Sequence, residues 1–474
     1  MSVSARTVLG AAIVVVVALG AAAIANTPLI FFYVPLATLS AAGALAFIAW
    51  RSDPTHLLCA ALFLSPFSSN WQKLGLPGYA APDRLLAIAA VAVVLLKGPA
   101  VRSRPRLRIG PVHRLMLLAV AYVAVSALLS GTLFDRPSFF KLFDTFGILP
   151  FMVFLVAPVA FRAEWQRDAV LKAFVLLGTY LGLTTFFESV HLDALVFPKY
   201  ILDPHYGIHQ GRGRGPFVEA VTNGYACYVC GAMAVVARAK WRDRRRWRRV
   251  AGAAIVVCAV GVYLCLQRSV WIGAVAGTLV AMLAIRETRR YIPATAILGT
   301  AAIVLSLLFI PGLSNTVSER AGQKGPIYDR QNLARTSANM IEARPLTGFG
   351  WNRFERYEAD YVEQAFDYPL TAASKTNIHS IILTYAVELG LTGVLLWLTV
   401  CAVGVGGALA TRGPPDLRGW RIGLLGVAVC FVIVTNFVPP SYFPNLSLWL
   451  LAGLVWSGRY ITWDSAAESS RAHP

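Results

Sequence analysis

The stretch VAGAAIVVCAVGVYLCLQRSVWIGAVAGTLVAMLAI, residues 250–285, decides the fold. Its 36 residues carry one charge, Arg268, near the midpoint. A helix crossing a hydrocarbon core needs about eighteen residues at 1.5 Å each. The run is therefore two crossings joined by a tight turn at Gln267-Arg268-Ser269. Lipid admits only helices or closed barrels, because each backbone polar group must find its partner inside the protein. Strand-like alternation is absent, which leaves the all-α, polytopic helical class.

Working outward, the run is preceded by RAKWRDRRRWRR, residues 238–249, with eight basic side chains against Asp243. Such an excess in a short loop marks the cytoplasmic side. It can also be read as a patch for anionic lipid or nucleic acid, but anchoring the topology is sufficient to explain it. Further apolar runs lie at 8–25, 29–50, 55–67, 83–97, 115–131, 145–161, 169–187, 219–237, 292–311, 379–410, 421–437 and 445–459, about fourteen crossings in all. Met1–Ala25 has the layout of a signal peptide, but the next span follows at once, so an uncleaved first helix is expected. Lys97–Arg114, Arg286/Arg289/Arg290 and Arg412/Arg418/Arg421 fall on the same side as 238–249. Parity then leaves 132–144, 188–218 and 312–378 outside. With 57% hydrophobic and 14% charged residues, the net charge of +19 reflects these loops and not a nucleic-acid partner. The 7 cysteines all sit in apolar spans and form neither a disulfide framework nor a zinc site. No phosphate-binding Walker loop or dinucleotide fingerprint occurs, so nucleotide hydrolysis and nucleotide cofactors are excluded.

Residues 312–378 are polar, with 8 basic and 8 acidic side chains, a third of the chain's 24 carboxylates. With Tyr328, Trp351, Phe354, Tyr357, Tyr361 and Phe366 they read as a folded cap. A helix over 350–366 would put Trp351, Phe354, Tyr357 and Tyr361 on one face, packed into a core or turned to membrane or sugar. The layout is 1–311 membrane helices (about eleven spans), 312–378 cap, 379–463 C-terminal membrane helices and 464–474 a disordered cytoplasmic tail.

Candidate chemistry collects at the outer ends. GRGRGPF, Gly211–Phe217, sets Arg212 and Arg214 on a glycine-rich backbone that suits a phosphate, with Asn223 in the next span. The alternative is a flexible loop whose arginines reach lipid headgroups. Arg268 sits at the mouth of its hairpin, against the positive-inside bias, as a candidate site residue. Thr376 and Asn377 are suitable N-caps, which places His379 in the first turn of the following helix, where the helix dipole favours a neutral imidazole. The alternative for His379 is a capping hydrogen bond. Glu388 is expected to pair with an arginine, to orient a substrate hydroxyl or to serve a helix–helix contact. The run 379–410 exceeds one crossing and has to tilt, break near Gly390 or project beyond the membrane. His191, His205 and His209 share a loop, but Pro204 and Gly207 disfavour the helix that would align them on a metal.

Together these residues resemble the O-antigen ligase/O-antigen polymerase superfamily of bacterial envelope glycosyltransferases. Arg212-Gly-Arg-Gly215-Pro216-Phe217 with Asn223 is similar to its arginine motif, and Gln267-Arg268-Ser269 to its outer helix-end arginine. Pro345-Leu-Thr-Gly348-Phe-Gly350 resembles its outer-loop motif. His379-Ser380 with Glu388-Leu-Gly-Leu-Thr-Gly393 resembles its His-Asn helix, with Ser380 replacing the usual asparagine. The doubled arginine leaves Arg212 or Arg214 as the match, and spacing favours Arg212.

The resemblance implies a GT-C-like fold in the bacterial inner membrane with its site facing the periplasm. It further implies an undecaprenyl-pyrophosphate-linked glycan donor, a glycan, lipid or protein acceptor, no metal and no cofactor. In that reading Arg212, Arg214 and Arg268 hold the pyrophosphate, Asn223, Asn377 and Glu388 line the substrate site, and His379 activates the acceptor. A polymerase of lipid-linked repeats and a flippase for lipid-linked oligosaccharide are the alternatives. The scarcity of charge inside the spans disfavours the flippase.

Overall fold

The computed structural model describes residues 50–76, 81–97, 107, 109–208, 211–309, 325–362, 378–411, 413–438 and 441–472. The runs expected at 8–25 and 29–50, most of the basic loop 98–108, and the two ends of the cap lie outside them. Every apolar run expected from residue 55 onward is a helix: α1 Pro54–Leu64, α2 Pro82–Lys97, α3 Pro111–Leu129, α4 Ile148–Ala160, α5 Glu164–Ser189, α6 Ala220–Lys240, α7 Arg245–Leu264, α8 Arg268–Leu283, α9 Ile292–Phe309, then the cap helix α10 Gly325–Ala343, α11 Ile381–Cys401, α12 Leu417–Val434 and α13 Tyr442–Ala472. Among the described residues there are 7 helical stretches long and apolar enough to cross a membrane. The protein is all-α and polytopic. Helix α13 runs on to Ala472, through the stretch expected to be a disordered tail.

The bundle is held by close approach at small residues, since lipid supplies no hydrophobic drive between helices. Helices α5, α6 and α7 pack mutually. A Cβ on Gly178 would lie 2.6 Å from Cys230 Cβ, and one on Gly261 would lie 2.7 Å from Cys227 Sγ. The cysteines thus serve as small buried packing residues. Helices α7 and α8 meet in a tight turn, as expected, but they do not pack along one another. Helix α8 lies on α12, and α7 on α5 and α6.

Helix α11 resolves the excess length of its run by breaking. Gly390 has φ 69° and ψ −177° inside it, which would strand the Val387, Glu388 and Leu389 carbonyls in an apolar setting. Each finds a donor elsewhere: Phe349 N–H to Val387 O at 2.9 Å, Gly350 N–H to Glu388 O at 2.9 Å, and Tyr122 O–H to Leu389 O at 2.8 Å. Leu391 N–H in turn donates to Pro345 O at 2.8 Å. The cap therefore enters the bundle as a turn segment, 345–350, that completes a broken helix, where an exposed break would be costly.

A second tie fixes the cap. Trp351 is fully buried, and its indole N–H donates to Ser138 O at 2.9 Å. The long helix expected over 350–366 is instead a single turn, Phe354–Tyr357, followed by a 3-10 turn at Glu358–Asp360. The aromatic residues pack inward: Tyr357 and Tyr361 each lie 5.3 Å from the Phe349 ring. They form a small core with Leu333 and Met340 of α10. Core packing, one of the two roles considered for this stripe, is the one adopted.

Candidate functional site at the cap end

The GRGRGPF loop is rigid, and one of its arginines makes it so. Arg214 is buried: its guanidinium donates to Tyr206 O at 2.7 Å and Ile201 O at 2.6 Å, with Nε 3.4 Å from Glu188 Oε1. The backbone N–H groups of Arg214 and Gly215 both donate to Glu188 Oε2 at 2.9 Å. Asn223 is also committed internally, donating from Nδ2 to Gly213 O at 3.0 Å and Thr185 Oγ1 at 2.7 Å. Gly215, at φ +53°, leaves no room for a Cβ against the Asn223 amide. Pro216 O accepts from Asn70 Nδ2 and Tyr200 O–H, each at 2.8 Å.

Arg212 has a different environment. It is half-buried, and its Nε is buried with no hydrogen-bond partner among the described residues. Its neighbour Gly211, at φ +71°, faces open space. A buried donor without an acceptor is uncommon and points to a missing partner.

Gly213 N–H donates to Leu264 O at 3.1 Å. This bond ties the loop to the C-terminus of α7, four residues before Arg268. The α7–α8 turn is braced by Trp271, whose indole N–H reaches Val262 O at 3.0 Å and whose ring stacks on Tyr263 at 5.8 Å. Leu266 carries φ 50° there, as Val218 carries φ 54° after the glycine loop. Non-glycine residues rarely take this conformation, and it tends to occur at functional sites. Arg268 is the first residue of α8, so its charge adds to the positive end of the helix dipole.

The cap contributes a further cation, Arg330 on α10. Burial and the nearby Arg268 both lower the Arg330 guanidinium below its ordinary value. Its guanidinium also lies 5.8 Å from the Phe437 ring, in the turn after α12. The same turn holds the histidine segment. Thr435 O accepts from Ile381 N–H at 3.0 Å, and Asn436 Oδ1 accepts from Ser380 O–H at 2.8 Å. Ser380, not Thr376 or Asn377, caps α11, with Oγ accepting from Leu383 N–H at 3.3 Å. His379 therefore stands just outside the helix instead of in its first turn. Asn377 lies outside the described residues.

One turn, 435–438, thus gathers the His379 segment and Arg330, and Arg330 is within electrostatic reach of Arg268. The loop that carries Arg212 is bonded to Leu264 O, four residues before Arg268. Glu388 is buried and paired with Lys141 at 2.6 Å, whose ammonium also reaches Asn352 Oδ1 at 3.1 Å. Sequence reasoning counted Arg330 among the cap cations and gave it no role, because nothing in its local pattern sets it apart from the others. The basic loop 238–249 occupies the opposite end, where Arg244 pairs with Asp168 at 2.5 Å and Arg167 with Asp416 at 2.5 Å.

Comparison with known proteins gives one family. Residues 253–398 match the family described as O-antigen ligase. The matched stretch contains Arg268, Arg330, the Pro345–Gly350 segment, His379 and Glu388, whereas Arg212 and Asn223 precede it. No curated protein matches the chain.

Proposed function

From the chain's membership of the O-antigen ligase/polymerase superfamily, we propose that it is a membrane glycosyltransferase. It would move a glycan from an undecaprenyl-pyrophosphate donor to an acceptor hydroxyl on the extracytoplasmic face. What supports the reading is the place of Arg268 at the N-terminus of α8, next to the turn to which the glycine-rich loop is bonded through Leu264 O, with Arg330 of the cap within its electrostatic reach. A helix N-terminus with guanidinium groups near it suits a diphosphate, which can accept from the backbone N–H groups and from both arginines.

In this reading Arg212, Arg268 and Arg330 grip the diphosphate, while Arg214 and Asn223 position the loop that carries Arg212. The acceptor oxygen attacks the anomeric carbon in line, and the bond from that carbon to the diphosphate oxygen breaks. The electron pair leaves with the diphosphate, whose growing charge the guanidinium groups stabilise. The acceptor proton passes to His379 as general base. In-line attack without a covalent intermediate inverts the anomeric centre.

The test is reconstitution of the full chain with a lipid-pyrophosphate glycan and candidate acceptors, following release of lipid pyrophosphate. Acceptor-dependent release, lost in Arg268→Ala and His379→Ala, is expected. Growth of a lipid-linked glycan on a second lipid-linked glycan assigns polymerase chemistry to the same site. Glycan crossing the bilayer with its linkage intact overturns the enzyme reading in favour of transport.

A further inference from the structure

The basic end of the bundle holds a feature that orientation alone does not require. Between α1 and α5 lies a cavity of about 910 Å³, with His56, Trp165, Lys172 and Arg244 among its polar lining and Phe63 and Leu176 among its apolar lining. Lys172 lies eight residues into α5 from Glu164, about 12 Å along the helix axis. An ionisable residue at that depth is by default a functional candidate. Helical side chains lean toward the N-terminus of their helix, which at α5 is the basic end, so the ammonium reaches back toward the interface. It lies 5.1 Å from the Trp247 ring centroid.

The two carboxylates in the cavity wall are already engaged. Asp168 is held by Arg244 at 2.5 Å and Lys240 at 3.0 Å, and Glu164 lies 3.4 Å from Lys240. Among the described residues, the cation left over in the cavity wall is Lys172, and the run that follows Arg244 adds Arg245, Arg246, Arg248 and Arg249 at the same end of the bundle. Trp165 is half exposed there, 5.8 Å from the His56 ring, as suits an aromatic residue at headgroup level. Below the mouth the wall is apolar, at Cys59, Phe63, Ala173 and Leu176.

We propose that this groove binds an anionic phospholipid, with the phosphodiester on Lys172, beside the Arg244–Asp168 pair, and an acyl chain along Phe63, Ala173 and Leu176. The cationic mouth and apolar floor match the two halves of such a lipid. The arginine-rich run thereby gains a role beyond topology, as the rim of a lipid site at the opposite end from the glycan chemistry.

The test uses the full-length protein incubated with phosphatidylglycerol or phosphatidylcholine vesicles, extracted in mild detergent and weighed by native mass spectrometry with its retained lipid. Wild type is expected to retain phosphatidylglycerol preferentially. Lys172→Met should reduce that preference about fivefold, the effect of one cation near an anionic lipid, and leave phosphatidylcholine retention unchanged. Lys172→Arg should preserve it, which separates charge from folding. Equal retention of the two lipids by wild type overturns the proposal. So does a Lys172→Met protein that matches wild type, or a Lys172→Arg protein that behaves like Lys172→Met.

Discussion

Gly348 and Gly390 face each other across one joint, where a Cβ on either would strike the backbone of the segment that carries the other. A Cβ on Gly348 would sit 2.5 Å from Val387 O, and one on Gly390 would strike the Leu346 carbonyl. Both have positive φ, 66° and 69°. The two glycines belong to separate motifs, and the structure shows these motifs to be the two sides of one joint. Gly348→Ala and Gly390→Ala are each expected to lower stability by roughly 1–3 kcal/mol. The double variant should lose less than the sum, because one displaced joint serves both. Thermal unfolding of the detergent-solubilised protein measures this.

Arg212 and Arg214, two residues apart, should separate function from folding. Arg212→Ala is expected to keep the wild-type melting temperature while transfer falls about 10²–10³-fold. Arg214→Ala should lower the melting temperature as well, since it leaves Glu188 buried beside the loop without its guanidinium. Paired melting and release assays distinguish the two, and equal melting losses would contradict the assignment.

Lys141 and Glu388 form an ion pair that joins the helical turn Lys141–Phe146, which precedes α4, to the broken helix. Glu388→Gln strands a half-buried ammonium and should cost roughly 3 kcal/mol. Lys141→Met combined with Glu388→Leu should recover part of that loss, because removing both charges also removes their desolvation. Donor binding kept in the double variant would assign Glu388 to structure, and donor binding lost from a folded double variant would assign it to the substrate site.

Arg330→Ala removes the cap's contribution to the anion site. Transfer is expected to fall about tenfold or more, with weaker donor binding, and Arg330→Lys should recover only part of it. Unchanged donor binding would assign Arg330 to cap packing on Phe437.

Glu358 offers a pH-dependent readout of cap stability. Burial, and Glu355 nearby, hold its carboxyl above the usual glutamate range. A raised folded value means that the folded cap keeps the proton longer than the unfolded chain. This group's contribution therefore falls as pH rises through the interval between the two values. Glu358→Gln should raise the melting temperature at neutral pH, and the gain should vanish below about pH 4, where both states are protonated.

The positions of the helices were legible from residue 55 onward because a long apolar run in lipid has one way to pair its backbone. The turn at Arg268 followed from the length of residues 250–285, and the break at Gly390 was among the outcomes that length allowed. The separation of the cap from the basic loop 238–249 followed from parity, and the structure sets them at opposite ends of the bundle. The resemblance to envelope glycosyltransferases also lay in the one-dimensional pattern, in four short motifs in the right order.

What each polar side chain does was decided only in three dimensions. Arg212 and Arg214 have the same chemistry and near-identical flanks, yet the Arg214 guanidinium meets Glu188 and two carbonyls, whereas Arg212 keeps a buried donor without an acceptor. Glu388 found Lys141, 247 positions away, and Arg330 found the Phe437 ring. Composition and spacing determine which segments enter the membrane, because burial depends on a segment's own hydrocarbon content. A charge acquires its role from the partner that folding brings within a few ångströms, and no local pattern encodes that partner.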